Sequence, residues 1–118
     1  MKKSKIVEIG TKLLKKHGLE DWIIIVGDLE TYFINPVFAG CNHEYKEIRV
    51  NRDFIGTMIE KDVRRAILHE IVHAVTKSPD KSQEFRDMCE KINAPLTQDE
   101  IMSPRRRQEF IKSFWGIN

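Results

Sequence analysis

Cysteine is scarce in this sequence: Cys41 and Cys89 are the only two, far apart and with no Cys-x-x-Cys pair. That excludes a disulfide framework or a zinc ribbon within one chain and fits a reducing compartment. Long apolar runs are missing too, since the longest, Trp22 to Val26, falls far short of the ~20 residues a membrane-spanning helix needs. The basic start Met1-Lys2-Lys3-Ser4-Lys5 leads into alternating apolar and charged residues instead of an apolar h-region, so no signal peptide is read. A cytoplasmic protein is expected. The charge has no strong sign either: a net +2 does not by itself mark a nucleic-acid surface.

What is present is an ordinary globular balance, 41% hydrophobic and 32% charged over 118 residues, with no repeat, low-complexity tract or linker. One domain spanning residues 1–118 is expected. Ile6, Ile9, Leu13 and Leu14 recur at helical spacing, with Ser4 available as a cap and Gly18 as a stop. Trp22-Ile23-Ile24-Ile25-Val26 is short and β-branched, which predicts a strand covered on both faces. A second strand is expected within Thr31–Ala39 despite Pro36, then a hairpin turn over Gly40–Tyr45. Residues 46–51 alternate strictly and put Ile48 and Val50 on one face. The charged face of that strand reads as edge protection, or as an edge on which an extended peptide pairs.

The second half reads as helices. One runs from about Glu60 to Thr76, with Glu60 and Asp62 in the first turn, where the helix dipole favours negative charge. Ser78-Pro79-Asp80 resembles the start of another, whose stripe is Phe85, Met88, Cys89 and Ile92 and which ends before Pro95. Ser103-Pro104 starts a fourth, with Phe110, Ile111 and Phe114 on one side. Four helices and a small three-stranded sheet make the fold class α+β.

The helix 60–76 carries His69-Glu70-Ile71-Val72-His73. Residues four apart stand on one face, so His69 and His73 can point two imidazoles at a single ion, a geometry that suits zinc. Glu70, ~100° around the helix, is placed to take a proton from a water that the metal activates. The competing reading is a solvated face that matches the pattern by chance. Against it, Val63, Ala66, Ile67, Ile71, Ala74 and Val75 form a broad apolar arc, and Glu70 projects into it between Val63 and Ala66. An unpartnered glutamate there would be costly.

With Trp22, Gly40-Cys41, Ile48-Arg49-Val50, the motif, Glu84-Phe85, Met88-Cys89 and Asn93-Ala94-Pro95 in this order, the chain resembles the SprT-like (Spartan-like) zinc metallopeptidases over about residues 19–95. It is most similar to the short, ribbon-free versions of phage and bacterial genomes. The resemblance implies a minimal zincin-like fold: an N-terminal helix on a small sheet, the motif helix, then a helix bringing a third ligand. It also implies zinc-dependent hydrolysis of a protein or peptide substrate.

Family members usually carry the third zinc-binding histidine in a His-Gly pair, and here the aligned pair is Lys81-Ser82. Asp80 is the first candidate replacement, with helix capping as its competing role; Glu84 and His43 follow. Tyr45 and Lys81 are the residues at hand to stabilise an oxyanion. Arg105-Arg106-Arg107 can contact phosphates or simply face solvent, so a nucleic-acid partner has only this support. Trp22 and Trp115 read as packing residues, Cys41 as a turn residue and Cys89 as a small buried hydrophobe. Two functions remain. The first is a zinc metalloendopeptidase with His69, His73 and Asp80 on the metal and Glu70 as base. The second is a zincin-fold binding module, for a protein or nucleic acid, that does not hydrolyse.

Overall fold

The computed structural model describes residues 1–29, 37–78 and 82–115, the last three of them by backbone alone. Helix α1 spans Lys3–Lys16 and buries Ile6, Ile9, Leu13 and Leu14, the predicted stripe. Its cap is Lys2, which gives no side-chain bond, so Ser4 lies inside the helix and does not cap it. Gly18 ends the turn after α1 at φ +76°, a left-handed conformation that glycine takes without a Cβ penalty.

Three strands follow: β1 Ile23–Gly27, β2 Ala39–Asn42 and β3 Glu47–Asn51. Their order is β1-β3-β2, with β1 parallel and β2 antiparallel to β3. The register pairs Ile24 with Ile48 and Val26 with Val50, and places Ala39 and Cys41 opposite Val50 and Ile48, so one face of the sheet is apolar and packs on the helices.

Three expectations about the sheet are corrected. Among the described residues β1 pairs with β3 alone, and Ile23 is 54% exposed, so its outer face is not fully covered. β3 is central, so its charged face is neither an edge nor edge protection. Gly40 and Cys41 belong to β2, and the turn is only residues 43–46. The turn is short because Asn42 Oδ1 accepts the Tyr45 N–H at 3.1 Å while Lys46 takes a left-handed φ of 51°. Residues 31–36 of the expected Thr31–Ala39 strand lie outside the described residues; Ala39 is in β2.

Helix α2 spans Glu60–Thr76, the predicted bounds. Asp62 Oδ2 accepts the Ile59 N–H at 3.2 Å, satisfying one N–H at the start of the helix. Of the expected arc, Val63, Ala66, Ile67, Ile71 and Ala74 are buried, and only Val75 faces outward, at 39% exposure. Helix α3 spans Gln83–Ile92 and starts later than Ser78 implied, because Ser82 Oγ accepts the Phe85 N–H at 3.2 Å. Helix α4 spans Pro104–Trp115, and Ser103 Oγ accepts the Arg106 N–H as expected. No helix among the described residues is long and apolar enough to cross a membrane.

Phe38, Phe54 and Phe110 hold α4 to the sheet end, with centroids 5.1–5.5 Å apart and each ring at most 1% exposed. Arg106 reinforces the joint by donating to Thr57 O at 2.7 Å and to the Asp62 carboxylate at 3.3 Å. Arg105 pairs with Glu109 and Arg107 with Asp99, so each arginine of the basic cluster has a partner within the chain.

Gly10 marks where α1 lies closest to the sheet: a Cβ there would fall 2.3 Å from Ile24 Cγ1. Glycine to alanine inside a helix ordinarily stabilises by ~1 kcal/mol. Overpacking against buried Ile24 costs roughly 1–3 kcal/mol and should win. Gly10→Ala is therefore expected to lower the urea midpoint; a raised midpoint would show that α1 and β1 are not in this contact.

Candidate metal centre

Helix α2 places His69, Glu70 and His73 beneath β2, with His69 1% and Glu70 4% exposed and His73 partly buried. The two imidazole centroids are 5.0 Å apart with the rings nearly perpendicular, at 84°. Two imidazoles on one tetrahedral zinc, with Zn–N bonds of ~2.0–2.1 Å, would have centroids about 5 Å apart, so the spacing fits a shared ion.

Both rings are oriented from behind by main-chain carbonyls. His69 Nδ1 is 2.8 Å from Pro95 O and His73 Nδ1 is 3.0 Å from Ser78 O. A carbonyl only accepts, so each neutral ring keeps its proton on Nδ1 and presents Nε2 as a lone pair, the form a metal needs. Phe85 packs on both rings, 5.4 Å from His69 and 4.5 Å from His73 by centroid. The predicted stripe of α3 thus serves as a wall that limits how the imidazoles turn.

Glu70 is the buried carboxylate anticipated from the helical wheel, and one of its partners is Gln98. Gln98 Oε1 accepts the Phe38 N–H at 3.0 Å, which turns the amide NH2 toward Ala39 O at 3.3 Å and Glu70 Oε1 at 3.0 Å. One side chain therefore ties the motif helix to the start of β2. An amide N–H given to a carboxylate replaces part of the hydration the group surrenders, and hydrogen bonds to charged groups contribute roughly 1.5–3 kcal/mol. Neither Gln98 nor Pro95 stood out in the sequence as a site residue. Both act from a segment without hydrophobic periodicity, and one of them acts only through its main chain.

The candidates for a third ligand separate. Asp80 and Lys81 lie outside the described residues. Glu84 Oε2 accepts the Ser78 hydroxyl at 2.8 Å, which puts it behind His73, beside the residue whose carbonyl holds that ring. His43 is exposed, donates through Nε2 to His73 O at 2.9 Å and stands edge-on to Trp22, so it caps the end of α2. Among the described residues no three His, Cys, Asp or Glu side chains form a group able to hold a metal ion. His69 and His73 are thus brought together, and neither Glu84 nor His43 joins them.

Tyr45 is 67% exposed and lines a surface cavity of about 620 Å³ together with Cys41, Asn42, Glu47 and Arg49. Trp22 is a buried core residue, as expected. The side chain of Trp115 lies outside the described residues. Cys89 is buried, and its thiol approaches Pro95 O at 3.7 Å, sharing that carbonyl with His69. Cys41, half-buried on the helix side of β2, has its thiol pushed up to about 12 by burial and by the nearby Glu70 charge.

No family model matches the sequence, and no curated protein matches it. A solved structure is similar: the metallopeptidase zymogen jannalysin of Methanocaldococcus jannaschii, with a TM-score of 0.60 and 18% identity over 94% of each chain. At that identity the likeness is one of fold, and it agrees with the expected minimal zincin-like α+β arrangement.

The Cys41 thiol supplies a pH test. Its folded value of about 12 lies above its ordinary 9.0, so the stability it contributes is complete below pH 9 and is lost as pH rises toward 12. Urea unfolding at about pH 10 should show a smaller decline from pH 8 in Cys41→Ala than in the parent chain. Equal declines would place Cys41 in water and away from Glu70.

Proposed function

We propose that the chain is a zinc-dependent endopeptidase of SprT-like type, with His69 and His73 holding the metal, Asp80 as the third ligand and Glu70 as the general base. One observation carries this reading. Two histidines one helical turn apart are each fixed in the Nδ1–H form by a carbonyl, with a buried carboxylate on the same helix. A helix that needed only a polar face would not require that set of partners. The likeness in fold to a metallopeptidase zymogen agrees with it.

Zinc, when bound, would polarise the scissile carbonyl and acidify a water. Glu70 would take a proton from the attacking water and hand it to the departing amine, a role suited to a carboxylate that is held in place and shielded. Gln98 holds one carboxylate oxygen through its amide N–H and so fixes the orientation of the base. Among the described residues β2 lies at the edge of the sheet, with Cys41 near Glu70, and an extended peptide pairing with it would bring its backbone to the base.

A second reading has its own observation: no three metal-donor side chains converge among the described residues. It makes the chain a zincin-fold binding module for a protein or nucleic-acid partner. Hydrolysis of an unfolded protein such as casein by zinc-loaded protein separates the two. Under the peptidase reading, Glu70→Gln should retain zinc and lose about 10²–10⁴-fold in kcat/KM. The binding-module reading is supported if zinc-loaded parent chain and Glu70→Gln are equally inactive. Cleavage that survives Glu70→Gln would contradict both.

A further inference from the structure

We infer that Arg65 is a positioning residue for this centre, acting through the segment 95–101. The inference rests on the peptidase reading of His69, Glu70 and His73, and adds to it the device that holds two of the three in place.

Arg65 stands one helical turn before His69 on α2, so both project toward the same neighbouring segment. Its guanidinium grips that segment twice: Nε donates to Ile101 O at 2.9 Å and Nη2 to Glu100 O at 2.7 Å. These carbonyls stand at the C-terminal end of the 3₁₀ turn Gln98–Glu100. The segment then returns two contacts to α2, Gln98 to Glu70 and Pro95 to His69. It is stiffened internally, with Leu96 N–H donating to Glu100 Oε2 and Glu100 N–H to Thr97 O, both at 3.1 Å. A shift at residues 100–101 is therefore passed to the carbonyl that selects the His69 tautomer and to the amide that fixes Glu70.

The competing anchor is burial. Ile101 and Met102 are 1% and 4% exposed, and their packing alone could hold the segment. His73 supplies the internal control, because its ring is held by Ser78, outside the segment. Loss of the Arg65 grip should disturb His69 and spare His73. A planar fork makes both bonds at once and an ammonium does not, so Arg65→Lys should fall between the parent chain and Arg65→Met.

The test uses the full chain with ¹⁵N-labelled histidine, metal-free, at a pH where the imidazoles are neutral. Ring ¹⁵N shifts report the tautomers, and zinc titration follows on the same samples. The parent chain should show His69 and His73 both as the Nδ1–H form. In Arg65→Met, His69 should become a mixture of tautomers while His73 is unchanged, and the zinc Kd should weaken about tenfold or more, as loss of a ligand's orienting partner does. A folded Arg65→Met with the parent His69 tautomer, or with His69 and His73 loosened alike, would overturn the inference. If Arg65→Met does not fold, the same criteria apply to Arg65→Lys. A parent chain that takes up no zinc would sink the metal reading, while the tautomer comparison would still decide the role of Arg65.

Discussion

Putting an imidazole and a carboxylate on the inward side of α2 constrains the rest of the chain. His69 and Glu70 are nearly inaccessible to water, and a buried polar group without a partner costs on the order of 1–3 kcal/mol, more when it is charged. Partners for these two come from a distant part of the sequence, Pro95 and Gln98 in the segment after α3, whereas the neighbouring His73 is held locally by Ser78 just past the end of α2. Gln98 reaches Glu70 because its amide is also bonded to Phe38 and Ala39, so the position of β2 over α2 and the position of the carboxylate are one structural fact.

The parts of this arrangement that were legible in the sequence are those set by local periodicity. Val63, Ala66, Ile67, Ile71 and Ala74 fixed the register of α2, and with it the burial of Glu70. Ile48 and Val50 fixed the buried face of β3, and Phe85 the inner face of α3. What was misread depended on tertiary context. Ser78 and Ser82 are both acceptable caps, and the choice fell to Ser82 because Ser78 uses its hydroxyl on Thr76 and Glu84. Gly40-Cys41 reads as a turn locally but pairs with Ile48 and Arg49 in the sheet. β1 reads as a fully buried strand on composition, yet among the described residues it pairs only with β3 and leaves Ile23 exposed. A glutamine that orients a glutamate from 28 positions away leaves no local signal at all.

Fold and chemistry also separate cleanly. The likeness to a metallopeptidase zymogen at 18% identity shows that this fold can be specified by very different sequences. It does not carry a function, because sites are placed on folds one residue at a time. The residues themselves point to function: two histidines with assigned tautomers, a carboxylate with a fixed orientation, and a wall formed by Phe85.

X-ray absorption at the zinc edge, on protein loaded with one equivalent of zinc, tests the central claim most directly. It should show two imidazole nitrogens at ~2.0–2.1 Å with oxygen completing the shell. A spectrum with no imidazole scattering would contradict the account, because it would mean that the helical pair is not a metal site.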